Sequence, residues 1–301
     1  MLRKRWSGPR LPVRTPDEIA ALERAGAVVV EALRAAARAA QPGVSTADID
    51  AAAAAVVESA GAAPLFQGYR QGDSPPFPAV CCISLNEEVV HGIPSPDRIV
   101  RAGDLVSVDV GVRLDGWCGD SGTTILIPGP LDPATPEPPA PGAHSLEDRR
   151  RLIETTRGVL DAAVSLMAPG LMWSDIARQL ERLTLDAGLG YVAEYVGHGI
   201  GRQLHEPPKA PAYWTGYSGP DFQLREGMVL AVEPLLIRTA DAGGGTPGAS
   251  GRLPVRTAPD RWTILAPPGS IACHEEYMIA IEAAGARPLS AGGRAAIENE
   301  R

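Results

Sequence analysis

Ser107-Val108-Asp109-Val110-Gly111-Val112-Arg113-Leu114-Asp115-Gly116-Trp117-Cys118-Gly119-Asp120 is the stretch on which the reading of this chain turns. Two strand-like runs, Asp104 to Arg113 and Trp117 to Ile127, flank Asp115-Gly116, and such a dipeptide between apolar runs is a strong two-residue hairpin signal. With Asp115-Gly116 as the loop, Leu114 pairs with Trp117, Asp109 with Gly122 and Asp120 with Gly111. Residues two apart in a strand share a face. Asp109 and Asp120 therefore lie on one face as diagonal neighbours, roughly 7 Å apart at the backbone. Val108 and Val110 point the other way, into apolar packing. Two carboxylates that close repel, and without a cation one of them stays protonated. A divalent metal removes the conflict, and a bridging carboxylate suits two ions about 3.5–4 Å apart. The bland alternative is a solvated sheet face carrying two exposed acids.

Outward from the hairpin, the chain repeats itself. Val100-Arg101-Ala102-Gly103-Asp104-Leu105-Val106-Ser107-Val108-Asp109 resembles Leu224-Arg225-Glu226-Gly227-Met228-Val229-Leu230-Ala231-Val232-Glu233. Pro42-Gly43-Val44-Ser45-Thr46-Ala47-Asp48-Ile49 resembles Pro169-Gly170-Leu171-Met172-Trp173-Ser174-Asp175-Ile176. The displacements are 124 (109 to 233) and 127 (42 to 169), and His91-Gly92-Ile93 matches His198-Gly199-Ile200 between them. Kept order and matched polar positions argue for two similar halves over chance similarity in an Ala-, Gly- and Val-rich chain. A pseudo-twofold axis between the halves sets Asp109 opposite Glu233 and His91 opposite His198, and ligands often bind between halves. Glu233 closes the apolar run from Val229 to Val232. Glu276 opens another, but Glu275 is its rival: alternation points the two to opposite faces, and position alone does not choose. Gly197 and Gly199 let backbone approach a ligand beside His198. His205 follows in Leu204-His205-Glu206-Pro207, and neutral imidazole suits transition metals. His144 sits in a Pro-rich loop and receives no role.

The remaining pattern mixes helices and strands, an α/β (α+β) class. Thr15-Pro16-Asp17-Glu18 reads as a helix start, with an Ala-rich helix running to about Ala40. A second helix restarts at Ser45 or Thr46 and runs to about Ala60, and residues 62–78 read as a loop. A strand is expected over 79–85, helices near 146–167 and 174–187, and strands near 191–197, 228–237, 262–265 and 277–282. Residues 1–14 are expected as a flexible basic tail. Residues 15–290 are expected to form one domain with halves of about 15–145 and 146–290, and 291–301 a second tail. Pro/Gly-rich stretches near 128–145 and 240–254 read as surface insertions.

A net charge of −8 argues against nucleic acid as a partner. The basic cluster Arg3, Lys4, Arg5 and Arg10 reads as a solvated tail. No apolar run reaches the ~18 residues of a membrane span, and no apolar segment follows the basic start as in a signal peptide. Cys81, Cys82, Cys118 and Cys273 lack zinc-type spacing and read as reduced thiols of a cytoplasmic protein.

Taken in order, Glu88-Val89-Val90-His91-Gly92-Ile93-Pro94, Ser107-Val108-Asp109-Val110, Asp115-Gly116-Trp117-Cys118-Gly119-Asp120, Gly197-His198-Gly199-Ile200-Gly201, His205-Glu206-Pro207-Pro208 and Val232-Glu233-Pro234 resemble the type I methionine aminopeptidases, over about residues 15 to 285. The resemblance implies a pita-bread fold: two pseudo-twofold-related αβ halves, mostly antiparallel curved sheet, with helices on the outer face. It implies two divalent ions (Mn, Fe(II) or Co, with Zn compatible) held by Asp109, Asp120, His198, Glu233 and Glu276. Glu276 is chosen over Glu275 because the family's ligand follows a strand-opening Trp by 14 residues, as Glu276 follows Trp262. The resemblance further gives Glu233 a proton-shuttling role, and His91 and His205 hydrogen bonds to the substrate carbonyl or amide. It lines the methionine pocket with Phe66, Tyr69, Phe77, Cys82, Leu204 and Trp262. The implied activity is removal of the initiator methionine from nascent proteins with a small second residue, by a cytoplasmic monomer. Pro9-Arg10-Leu11-Pro12 reads as a short polyproline-II docking segment toward the ribosome or as a stiff tail.

The chain departs from the family pattern in several places. Residues 70–76 lengthen the pocket loop, Cys118 stands where many relatives carry His, and His274-Glu275 replace a Gln-aromatic pair. Two other readings stay open. Aminopeptidase P and prolidase share the scaffold, but those usually carry a large N-terminal domain, and about 14 residues precede the first helix here. A binding protein on the same scaffold would have lost ligands, and all five candidates are present.

Overall fold

The computed structural model describes residues 6, 8, 10–129, 144–239 and 251–291. The first half opens with α1 (Pro16–Ala39), capped as the sequence indicated: Thr15 accepts from the Glu18 N–H while the Glu18 carboxylate accepts from the Thr15 N–H. Gly43 turns the chain at φ 91°, and Ser45 caps α2 (Thr46–Ser59) by the same reciprocal device. Short strands β1 (Ala63–Pro64), β2 (Cys81–Leu85) and β3 (Glu88–Val90) precede the long hairpin β4 (Leu105–Leu114) and β5 (Trp117–Leu126). β4 is central, with β5 along one side and β2 and β1 end to end along the other, all antiparallel. Val106, Val108, Val110 and Val112 enter one core with Val29, Leu33 and Ala36 of α1, so this face of the hairpin packs on the helices.

The second half has α3 (Leu146–Leu166) and α4 (Trp173–Asp186), then β6 (Gly190–Tyr191), β7 (Gly197–Gly199), β8 (Glu206–Ala210), β9 (Val229–Val232), β10 (Leu235–Arg238), β11 (Arg256–Thr257), β12 (Ile264–Leu265), β13 (Ile271–His274), β14 (Tyr277–Glu282) and β15 (Gly285–Pro288). Its main sheet runs β15-β14-β9-β7-β8. Two expected strands are each two. The 191–197 segment supplies β6 and the start of β7. The 228–237 segment splits at Pro234, which cannot donate to a ladder, so β9 stays in the main sheet and β10 joins β13 and β6.

The internal repeat is a repeat of backbone geometry. Gly43 N–H donates to Val100 O and Gly170 N–H to Leu224 O; Val100 N–H donates to Val44 O and Leu224 N–H to Leu171 O. Gly43 and Gly170 both sit at φ 91°, where any side chain would be strained. Gly103 N–H donates to Ile127 O, as Gly227 N–H does to Ile281 O, so the β4–β5 hairpin corresponds to the β9–β14 pair. The halves meet where Glu276 N–H donates to Gly122 O at 2.9 Å.

Packing extends before the first helix, into the stretch expected as a flexible tail. Trp6 N–H donates to Asp221 O, Leu11 is 5% exposed in the second half's core, and Arg14 N–H donates to Gly227 O. Leu11 is an apolar side chain that found a core, which the basic and proline-rich composition around it masked. The expected 291–301 tail lies beyond the described residues from 292 onward, and most of both insertions (130–143 and 240–250) lies outside them too. Among the described residues, no helix is long and apolar enough to cross a membrane.

Candidate metal centre and its cavity

The hairpin register is the one its turn dictates. Asp109 pairs with Gly122 and Asp120 with Gly111, so the two carboxylates project from the same face. The glycines opposite them make room. A Cβ on Gly111 would lie 2.7 Å from Phe66 Cε1, and one on Gly122 would lie 3.1 Å from His274 Cε1. Neither glycine has a positive φ, so what each supplies is space.

His198 arrives on β7, between glycines that the strand spacing demands. A Cβ on Gly197 would sit 2.5 Å from Ala231 O, and one on Gly199 would sit 2.4 Å from Pro207 O. The Nδ1 of His198 lies 3.0 Å from Gly199 O, which fixes Nδ1 as the protonated nitrogen and leaves Nε2 as a lone-pair donor. That Nε2 lies 3.7 Å from Asp120 Oδ2 and 3.9 Å from Glu233 Oε1. Glu233 follows the end of β9, where Pro234 stops the ladder and frees the side chain to enter the cavity. Donor atoms of Asp120, His198 and Glu276 all lie within 4.8 Å of one another.

The geometry separates Glu275 from Glu276, which position in the sequence left open. Glu275 turns away. Its carboxylate accepts from Arg157 Nε at 3.0 Å, Thr123 Oγ1 at 3.2 Å and Thr124 N–H at 3.2 Å. Glu276 takes the opposite face, toward Asp120 and His198, with its backbone held by Gly122 O and the Ser121 hydroxyl.

This cluster is electrostatically unfinished. Asp109 Oδ1 and Asp120 Oδ1 are buried with no hydrogen-bond partner. Burial pushes the Asp109 carboxyl up to about 7 and, with the Asp109 charge beside it, Glu233 up to about 8. Asp120 and Glu276 are driven well above the ordinary carboxylate range, by burial first and then by neighbouring acids. Burial lowers His198 and His91 to about 4, so both rings are neutral near pH 7. His198 therefore makes no salt bridge with Asp120; it offers a lone pair. Buried carboxylates without cationic partners are costly. Oxygen-rich donors with imidazole nitrogen are the set that hard-to-intermediate divalent ions take, so these residues fit a metal centre.

The centre floors a cavity of 780 Å³, and every residue expected at the site lines it: Asp109, Asp120, His198, Glu233 and Glu276 below, His91 and His205 beside them, and Phe66, Tyr69, Phe77, Cys82, Leu204 and Trp262 as apolar wall. Trp262 organises the wall, meeting Phe77 edge-on at 5.4 Å and Tyr69 at 6.4 Å. Its indole N–H donates to Pro75 O, which ties the lengthened 70–76 loop to the pocket. Cys82 is buried, and burial, then Asp109, raise its thiol well above its ordinary value, which disfavours the thiolate that a nucleophile needs.

The internal repeat led to an expectation of His91 facing His198, and the ring contacts differ from it. The ring contacts of His91 are with Tyr195 at 5.0 Å and Trp262 at 6.2 Å, and the ring at 4.5 Å from His198 is His205. Sequence reasoning missed Trp6 and Tyr195, which also line the cavity, and His274. His144 packs elsewhere, with Nε2 3.0 Å from Gly269 O.

Two αβ halves joined about a carboxylate and imidazole centre define a metallopeptidase scaffold. Residues 20–283 match the model of metallopeptidase family M24, and the chain belongs to that family. It is 38% identical over 288 residues to methionine aminopeptidase 1 of Mycobacterium tuberculosis, covering 94% of this chain and 96% of the relative. It superposes on the crystal structure of methionine aminopeptidase from Thermotoga maritima with a TM-score of 0.77 at 31% identity, covering 93% of this chain and 99% of that one. A prolidase from Pyrococcus horikoshii shares the fold at a TM-score of 0.65 and 20% identity, with 92% of this chain aligned to 63% of the prolidase.

Proposed function

We propose that this chain is a methionine aminopeptidase that removes the initiator methionine from nascent proteins whose second residue is small. The observation that carries the reading is the pairing, in one cavity, of an acid-and-imidazole floor with a wall of aromatic and aliphatic side chains. The likeness to methionine aminopeptidases over nearly the whole of both chains supports it. Asp109, Asp120, His198, Glu233 and Glu276 would hold two divalent ions. Bound there, such ions supply Lewis acidity toward a peptide carbonyl and raise the acidity of a water nucleophile.

The chain's own groups would do the rest. Glu233 would take a proton from the attacking water at a carboxylate oxygen and deliver it to the departing amine nitrogen. His91 and His205, which line the cavity, would each offer one ring N–H to the substrate carbonyl or amide and orient the scissile bond. The thioether of a methionine side chain packs well against aromatic edges, and Phe66, Phe77 and Trp262 present such edges while excluding water. An oxygen-rich centre favours Mn, Fe(II) or Co, with Zn compatible. Free buried thiols fit a reducing compartment such as the cytoplasm, where the chain would act as a monomer on substrates leaving the ribosome.

The test is cleavage of Met-Ala-Ser against an X-Pro peptide by the metal-loaded chain. The expected result is methionine release, with the X-Pro bond left intact. Rapid X-Pro cleavage without methionine release would overturn the proposal in favour of a prolidase or aminopeptidase P activity.

A further inference from the structure

His274 is 2% exposed, and its Nε2 is buried with no hydrogen-bond partner. That nitrogen lies 3.9 Å from Glu233 Oε2 and 3.7 Å from Glu276 Oε2. On the other side of Glu233, the Nε2 of His198 lies 3.9 Å from Oε1 of the same carboxylate and 3.7 Å from Asp120 Oδ2. Two imidazoles thus bracket Glu233, one at each oxygen, and each also faces a second carboxylate at the same separation.

These spacings are too long for hydrogen bonds, which need about 2.7–3.2 Å. They suit donors that share an ion. With donor–ion distances of about 2.1 Å, two donors on one ion sit roughly 3.0–4.2 Å apart, depending on the angle between them. The placement of His274 is rigid. Its N–H donates to Thr124 Oγ1 at 2.9 Å, its carbonyl accepts from the same hydroxyl at 2.8 Å, and β13 holds it across from Leu235, two residues beyond Glu233. Gly122 leaves the space the ring occupies, because a Cβ there would lie 3.2 Å from Nδ1. Alternation along β13 sends Cys273 into the core and leaves His274 on the centre's side.

We infer that His274 is a sixth protein ligand of the metal centre, giving an imidazole to the ion on the far side of Glu233 from His198. The inference rests on the two-metal reading above. It assigns a direct role to a residue that the five-ligand set leaves out, and it makes the two ions similar in donor type: each takes one imidazole nitrogen along with carboxylate oxygens.

The experiment loads the full chain, labelled with ¹⁵N at the histidine rings, with two equivalents of Co(II) and counts histidines with contact-shifted resonances in paramagnetic NMR. Among five histidines, two are expected to show them. H274Q is expected to show one, and to bind the weaker cobalt ion at least about tenfold less tightly by calorimetry, since perturbing even an outlying partner of a ligand typically costs 10–100-fold. One contact-shifted histidine in the unaltered chain, with two cobalt ions bound, would overturn the sixth ligand and leave the two-metal reading standing. No cobalt binding by the unaltered chain would overturn both. The unaltered chain decides the matter even where H274Q fails to fold.

Discussion

Glu275 and Glu276 are neighbours with opposite fates, and exchanging each for glutamine separates them. Glu275 is 1% exposed and paired with Arg157 Nε at 3.0 Å, while the Arg157 side chain is 12% exposed. Removing one partner of a buried pair leaves the other charge uncompensated, at a cost of about 3–5 kcal/mol. Partial exposure of Arg157, and the hydrogen bonds glutamine can keep to Thr123 and Thr124, place E275Q near the lower end, about 3 kcal/mol. Specific unfolding entropies give a chain of this size a shift of roughly 5 °C in Tm for that loss. E276Q does the reverse. It removes a carboxyl that burial, and then Asp120, Glu233 and Asp109, force to take up a proton on folding, so the metal-free chain keeps or gains thermal stability while metal binding falls. The assay is a melt of the metal-free chain beside equilibrium dialysis against Mn(II). The reasoning fails if E275Q melts within about 1 °C of the parent, or if E275Q loses metal while E276Q retains it.

Other consequences are as direct. Metal-free stability falls as pH rises from about 4 and levels off above about 8: Asp109 and Glu233 titrate near 7 and 8 in the folded chain but near 4 when unfolded, so between those values the folded state holds protons that the unfolded state has lost, and from pH 6.5 to 8.5 the last of the decline is read. The histidines act oppositely and only lower, because folded values near 3 to 4 against an ordinary 6.5 confine their effect to pH below about 6.5. Melts at pH 6.5 and 8.5 check this, and added Mn(II) should remove the decline. Gly111→Ala drives a methyl into Phe66, 2.7 Å away, so KM for Met-Ala-Ser rises more than kcat falls, with a stability loss of about 1–3 kcal/mol. Chelation abolishes peptidase activity, and Mn(II) or Co(II) restores it; activity that survives exhaustive dialysis against a chelator would contradict the metal centre.

How far the sequence could be read depends on how local each signal was. The Asp115-Gly116 turn fixes the β4–β5 register, and with it the shared face of Asp109 and Asp120, because a two-residue loop leaves no slack. Capping residues Thr15 and Ser45 mark helix starts for the same reason: their partners lie three residues away. The repeat carried this across the chain, since Gly43 and Gly170, like Gly103 and Gly227, make matching backbone bonds in both halves. What stayed dark was set by distant partners. Arg157, 118 residues from Glu275 in sequence, is what draws that carboxylate away from the centre. The approach of β13 to Gly122 aims His274 at Glu233, and only its replacement of a family glutamine hinted that it differed. Leu11 and Trp6 gave no periodic signal, yet one enters the core and the other reaches the cavity.

The most direct test of the account is the metal content of the purified chain beside that of D109N, measured after equilibration with Mn(II). Asp109 Oδ1 is buried without a partner and belongs to the carboxylate group on which the whole centre depends. The parent is expected to hold two ions per chain and to release methionine from Met-Ala-Ser. D109N is expected to hold one or none, with activity falling in step. Two ions and undiminished methionine release in D109N would contradict the assignment of this cluster as the metal centre.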